Sequence, residues 1–107
     1  MNHGLSDETV ERIRRVFSDF PEVEKALLYG SRANGNYKPG SDIDLTLLGT
    51  NLDSAIFAQI NTRLDDLLVP YKIDLSIFNH LTHSDLIDHI RRVGVVFYEK
   101  QPVTARS

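Results

Sequence analysis

The amino-acid sequence predicts an α/β domain, in which a small mixed β-sheet is flanked by helices. Two amphipathic segments carry apolar residues at helical spacing and predict long helices at about 7–19 and 54–68. Two further segments, 42–47 and 72–78, alternate polar and apolar residues, as strands do when one face is buried and the other is solvated. Strands that alternate with helices along one chain are typical of the α/β class.

Length, charge and composition limit the kind of protein that this sequence encodes. The 107 residues predict a single domain, 1–107, with a core at about 7–99 and a polar tail at 100–107. The net charge of −3 does not favour direct nucleic-acid binding through a basic surface. No cysteine is present, and no apolar run is long enough for a membrane span or a signal peptide. We therefore expect a soluble, cytoplasmic protein that does not bind membranes.

Capping residues mark the ends of the predicted helices. Ser6 and Asp53 precede the first two helices, and each can accept a hydrogen bond from the first turn. Thr82 is the predicted cap of a third helix, which ends at Gly94, and a last strand follows at 95–98. The apolar residues expected to face the core from these helices are Val10, Ile13, Phe17, Phe20, Ile56, Phe57, Ile60, Leu64, Leu67, Leu68, Leu86, Ile87, Ile90 and Val93.

The stretch 26–48 organises the rest of the chain. Its apolar run 26–29 predicts a buried strand, which Gly30 and Ser31 end with a tight turn towards a helix. Backbone amides at such a turn bind phosphate oxygens, the Ser31 hydroxyl adds a donor, and Arg32 adds a positive charge. The sequence therefore predicts a phosphate-binding turn.

Three aspartates follow on the two alternating strands. Because strand side chains repeat every two residues, Asp42 and Asp44 point to the same side. Adjacent carboxylates repel each other unless a positive charge lies between them, and a divalent cation supplies that charge. Asp74 joins the same solvated face if its strand lies beside the first. The sequence thus predicts a metal site formed by Asp42, Asp44 and Asp74.

Three histidines, His80, His83 and His89, offer a second candidate metal site. No cysteine accompanies them, and metal ligands generally sit on a fixed scaffold. We interpret them as ordinary solvated or structural side chains.

The order of these motifs carries a family resemblance. Gly30 and Ser31, then ten residues, then Asp42 and Asp44 on a strand resemble the signature of the nucleotidyltransferase superfamily that includes polymerase β. The short chain is similar to the minimal nucleotidyltransferases (MNT proteins), stand-alone proteins encoded beside a helical HEPN protein. The similarity covers roughly 27–98. It implies the palm-like fold of polymerase β and supplies the order of the strands.

The resemblance also implies a reaction and a role for each predicted site residue. ATP or another NTP would be the donor, with its triphosphate held by Gly30, Ser31 and Arg32. Two Mg²⁺ ions would be held by the aspartates, and the aspartate on the later strand would complete the nucleophile side and help to remove the acceptor's proton.

Three functions, which differ in their acceptor, are compatible with the sequence. In MNT–HEPN pairs the MNT protein is an antitoxin that can transfer AMP to a tyrosine of the HEPN ribonuclease, and this is the leading interpretation. A second function is an antitoxin that neutralises its partner by docking alone. A third is transfer to a small molecule, such as an antibiotic, with the acceptor site completed by a homodimer. The complete set of sequence motifs favours an enzyme, and the short chain favours a protein acceptor.

Overall fold

A computed structural model of the protein describes residues 3–101, so the predicted polar tail lies outside the described residues from position 102 onward. The helices are α1 (Asp7–Ser18), α2 (Gly30–Asn34), α3 (Ser54–Asp65) and α4 (Ser84–Val93). The strands are β1 (Lys25–Tyr29), β2 (Ile43–Leu48), β3 (Ile73–Ile77) and β4 (Val95–Glu99). A 3₁₀ turn, Phe78–His80, follows β3.

The four strands form one mixed sheet in the order β3-β2-β1-β4. β1 is antiparallel to both of its neighbours, and β2 is parallel to β3, with α3 as the crossover between them. The predicted mixed sheet with flanking helices is therefore confirmed. None of the helices in the described part of the chain has the length and apolar character of a membrane span.

One face of the sheet, here called the dry face, forms the hydrophobic core with α1 and α3. Alternation along β2 places Ile43, Leu45 and Leu47 on this face, and all three are fully buried. The core also takes the apolar stripe of each of the two helices, because residues three or four positions apart lie on one side of a helix. The buried members from the helices are Val10, Ile13, Val16, Phe17, Ile60 and Leu64.

Two predicted caps hold in the structure. The Ser6 hydroxyl accepts a hydrogen bond from the Thr9 amide at 3.1 Å, and Asp53 accepts one from the Ile56 amide at 2.9 Å. Each satisfies an amide that has no partner within its helix, so α1 and α3 begin where the sequence predicts. Gly94 is the residue that ends α4.

The predicted cap at Thr82 is wrong. His83 caps α4 instead, and its Nδ1 atom accepts a hydrogen bond from the Leu86 amide at 3.3 Å. A histidine ring nitrogen reaches the amide three residues on as a hydroxyl does, so the helix begins one residue later than predicted.

The end of α3 also differs from the prediction. The helix stops at Asp65, and the amides of Leu67 and Leu68 donate to carbonyls only three residues back, which tightens the chain into a turn. Leu68 adopts the left-handed backbone region (φ 55°) and is 87 % exposed. The prediction that Leu68 belongs to the buried stripe is therefore wrong.

Candidate active site

The pairing of β2 with β3 brings two of the predicted aspartates side by side. Asp44 and Asp74 are partners in parallel register, so both side chains project from the face opposite the core, here called the wet face. Asp42 immediately precedes β2 and lies on the same side by alternation. Asp42 and Asp74 are exposed, and Asp44 is half-buried. The three carboxylates thus lie at the amino ends of two neighbouring strands.

Asp44 is the electrostatic centre of this group. Burial raises the pKa of its carboxyl, and the negative charges of Asp74 and Asp42 raise it further. His89 and Lys72 act in the opposite direction. A cation among the carboxylates would favour the ionised form of Asp44 and relieve the repulsion.

The three aspartates provide the oxygen ligands that Mg²⁺ prefers, but they do not form a complete coordination site on their own. Among residues 3–101 no group of three or more Asp, Glu or His side chains is gathered closely enough to hold a metal ion. Mg²⁺ prefers hard oxygen ligands, keeps several waters, and is commonly bound through one or two carboxylates together with substrate phosphates. The Asp44–Asp74 pair fits a metal that binds together with a nucleotide.

The turn from β1 into α2 is pressed against Asp44. Gly30 has a φ of +75°, and a Cβ atom at this position would collide with the Asp44 carboxylate. Only glycine combines this backbone conformation with such a close approach. Half-buried Ser31 follows, and its hydroxyl makes no hydrogen bond within the described range. The predicted phosphate-binding turn and the predicted metal ligands are therefore neighbours.

His89 is a residue of this site that the sequence interpretation missed. The Gly30 amide donates a hydrogen bond to His89 Nε2 at 3.2 Å, and the His89 ring meets the edge of the Tyr29 ring at a centroid distance of 6.3 Å. A phosphate that uses the Gly30 amide must displace this imidazole. A signal was present, because His89 lies beside Ile90 and three residues after Leu86, on the inward side of α4.

Tyr29 also lies on the wet face, and the sequence interpretation did not assign it to the site. It lies opposite Asp44 in the antiparallel register and is almost fully buried. Burial raises the pKa of its hydroxyl, a hydrogen bond with Ser76 acts the other way, and the two nearby carboxylates raise it further. Ser76 in turn donates to the Thr46 hydroxyl at 2.9 Å. Thr46 and Ser76 lie two residues beyond Asp44 and Asp74 on their strands, so this polar chain continues along the same face.

Arg32 lies away from solvent. Its side chain is 1 % exposed, and its guanidinium donates hydrogen bonds to the carbonyl oxygens of Ser41 and His3. The phosphate-binding role predicted for Arg32 would require these bonds to break. The structure thus brings together Gly30, Ser31 and the aspartates, and gives Arg32 a different set of contacts.

A mixed four-stranded sheet with flanking helices, a Gly-Ser turn after its first strand and paired aspartates on the next two defines a nucleotidyltransferase fold of the polymerase β type. Residues 11–103 match the family model described as "Polymerase beta, Nucleotidyltransferase". Because this match covers most of the chain, the protein belongs to that nucleotidyltransferase family. No curated protein matches the chain at a significant level.

Solved structures with the same fold include several toxin–antitoxin proteins. One, a toxin–antitoxin with AMP-PNP, superposes with a TM-score of 0.66 at 21 % identity and covers 91 % of this chain and 76 % of its own. A chain from the tri-AMPylated Shewanella oneidensis HEPN toxin in complex with MNT antitoxin gives a TM-score of 0.66 at 18 % identity, over 90 % and 74 % of the two chains. A chain of the toxin–antitoxin MntA–HepT gives 0.64 at 18 % identity, over 89 % and 74 %. At these identities the likeness establishes the shared fold.

Proposed function

We propose that the protein is a Mg²⁺-dependent nucleotidyltransferase that moves AMP from ATP to a tyrosine of a helical HEPN-type partner, as the antitoxin of a toxin–antitoxin pair. The observation that carries this proposal is the parallel register of Asp44 with Asp74, directly beside the Gly30 turn. Burial and the neighbouring carboxylates of Asp74 and Asp42 raise the pKa of Asp44. A nucleotidyltransferase uses such carboxylates to bind metal.

Each site residue is assigned a role in this reaction. The Gly30 amide and the Ser31 hydroxyl donate to the triphosphate of ATP, after His89 has released that amide. Asp42 and Asp44 would hold Mg²⁺, with Asp74 completing the side from which the acceptor approaches. When bound, two Mg²⁺ ions stabilise negative charge on the entering and leaving oxygens.

The transfer itself breaks one bond and forms one. The acceptor oxygen attacks the α-phosphorus in line with the leaving group, the bond from that phosphorus to the bridging oxygen breaks, and pyrophosphate leaves with the electron pair. The exposed carboxylate of Asp74 accepts the proton of the acceptor hydroxyl. AMP is thereby joined to the acceptor by a phosphodiester bond.

A protein acceptor is favoured by the openness of the wet face at the carboxylates. Asp42 and Asp74 are both exposed, so an acceptor side chain can reach them from outside the domain. Two of the structures that share the fold concern a toxin–antitoxin with AMP-PNP and an AMPylated HEPN toxin bound to an MNT antitoxin. A tyrosine presented by a helical partner suits this geometry.

A second candidate function is docking without catalysis. It is favoured by one observation, that the carboxylates of the described residues are not gathered into a ready-made metal cluster. An antitoxin of this kind would neutralise its partner by covering it.

Incubation of the protein with ATP, Mg²⁺ and the product of the neighbouring gene tests the proposal. Mass spectrometry should find AMP on a tyrosine of the partner, and the modification should disappear when Mg²⁺ is chelated. Parallel reactions with GTP, CTP and UTP define the base. A partner that is inhibited but gains no mass would support docking and exclude the enzymatic function.

A further inference from the structure

Arg32 is the largest fully buried side chain in the described part of the chain, and it is 1 % exposed. A buried cation is costly unless its charge and its donors are satisfied. Within residues 3–101 no carboxylate forms an ion pair with Arg32, and its guanidinium donates its hydrogen bonds to backbone oxygens. Nε and Nη2 donate to the Ser41 carbonyl at 3.2 and 3.0 Å, and Nη1 donates to the His3 carbonyl at 2.9 Å.

Two aromatic rings complete the surroundings of this guanidinium. Its central carbon lies 5.2 Å from the centroid of the Tyr37 ring and 4.9 Å from that of the Tyr71 ring. Both distances are within the range at which the ring face attracts a cation, and the attraction grows when water is excluded. Arginine suits such a site because its planar group stacks and donates at the same time.

The contacts of Arg32 join segments that are distant in the sequence. Ser41 immediately precedes Asp42, Tyr37 belongs to the same loop, and Tyr71 lies three residues before Asp74. The loop is also folded on itself, since the Ser41 amide donates to the Lys38 carbonyl and the Lys38 amide donates to the Ser41 hydroxyl. Arg32 holds this turn against the sheet.

We propose that Arg32 is a positioning residue, which fixes the loop 35–42 and thereby Asp42 relative to Asp44 and Asp74, and that it does not bind phosphate. The inference deepens the proposed function and rests on it only where Asp42 is assigned to the metal. The fixing of the loop by Arg32 is independent of that assignment.

Hydrogen exchange of the metal-free protein tests the proposal with Arg32→Lys. Lysine keeps the positive charge but has neither the fork that reaches two carbonyls nor the plane that stacks. Amides of 35–42 should exchange about tenfold faster or more, because charge-assisted hydrogen bonds that order the loop are lost.

Arg14→Lys is the matched control. Arg14 donates to the Phe97 carbonyl at 2.7 Å and lies 5.5 Å from the Phe97 ring centroid, so it makes the same two kinds of contact, beside β4. Its replacement should leave exchange in 35–42 unchanged. If Arg32→Lys does not fold, Tyr37→Leu removes one stacking ring at the surface and should raise exchange in the same loop.

Metal-free ATP binding separates positioning from phosphate binding. A positioning role predicts faster loop exchange in Arg32→Lys with metal-free ATP affinity changed less than about twofold. Unchanged loop exchange overturns the proposal, and so does a large loss of metal-free ATP affinity. If the parent protein transfers no AMP, the proposed function fails, while the exchange result still decides the role of Arg32.

Discussion

The two faces of the same strand, β2, follow opposite rules. On the dry face Ile43 and Leu45 are fully buried in the core, where removal from water stabilises the fold. On the wet face Asp44 is held beside Asp74, and its ionised form is disfavoured by burial and by neighbouring charge. Because side chains alternate along a strand, residues that stabilise the core and residues of the candidate site can occupy neighbouring positions of β2 on opposite faces. Substitutions on the two faces should therefore change different quantities.

The largest effect is expected on the wet face, from Asp44→Asn. This change keeps the size of the side chain and removes one charge from the carboxylate group. AMP transfer should fall by about a hundredfold or more, because the residues that bind the metals stabilise the transition state. Without metal the fold should be as stable as the parent or slightly more so, because repulsion is relieved. Rates of labelled-AMP incorporation and urea unfolding measure the two quantities.

Asp42→Asn should behave similarly, and Asp74→Asn should lose somewhat less activity. Asp66→Asn is the matched control, since Asp66 is an exposed aspartate that follows α3. If Asp44→Asn transfers AMP as fast as the control, Asp44 does not hold the metal. If it inhibits the partner as well as the parent does but transfers no AMP, docking replaces catalysis as the function.

On the dry face, Leu45→Ala should lower the free energy of unfolding by about 2–5 kcal/mol, because a fully buried leucine leaves a cavity. Leu68→Ala removes the same atoms from a side chain that is 87 % exposed and should change stability by less than about 0.5 kcal/mol. Urea denaturation of both variants provides the test. Equal destabilisation by the two changes would contradict the described core.

Gly30→Ala probes the turn that lies against Asp44 on the wet face. A methyl group here would meet the Asp44 carboxylate, and the left-handed backbone disfavours any side chain, so we expect a loss of about 1–3 kcal/mol in stability. AMP transfer should fall as well, since Asp44 would be displaced. Gly40→Ala is the control, because open space surrounds Gly40. A fully active Gly30→Ala protein would show that the close approach is unnecessary.

The sequence predicted those parts of the fold that depend on local order. The caps Ser6 and Asp53 act on amides three residues away, and the alternation around Asp44 and Asp74 assigns their common face once the strands are neighbours. Each of these features depends on residues that are only a few positions apart in the sequence. The burial of Leu68 was predicted wrongly from helical spacing. The helix α3 ends at Asp65, and Leu68 lies in the turn that follows, where helical spacing no longer applies.

The surroundings of Arg32 and His89 could not be predicted in the same way. The bond from Arg32 to His3 joins residues 29 apart, and the bond from Gly30 to His89 joins residues 59 apart. Both depend on how α2 is packed, which neither periodicity nor turn propensity determines. Arg32 on the short helix α2 therefore gives no local sign of burial, and the helical spacing of His89 indicates an inward side of α4 but not its contact with Gly30.

The smallest predicted effect concerns pH and sharpens the contrast between the faces. Burial, with the charges of Asp74 and Asp42, raises the pKa of Asp44, so the folded protein binds this proton more tightly than the unfolded chain does. The resulting stabilisation is complete below the ordinary aspartate pKa of about 3.9 and is lost as the pH rises through the raised value. In metal-free protein, Asp44→Asn should therefore gain stability relative to the parent over that window. Urea unfolding across the acidic range measures the difference, Leu68→Ala should show no such trend, and a pH-independent difference for Asp44→Asn would contradict the assigned repulsion.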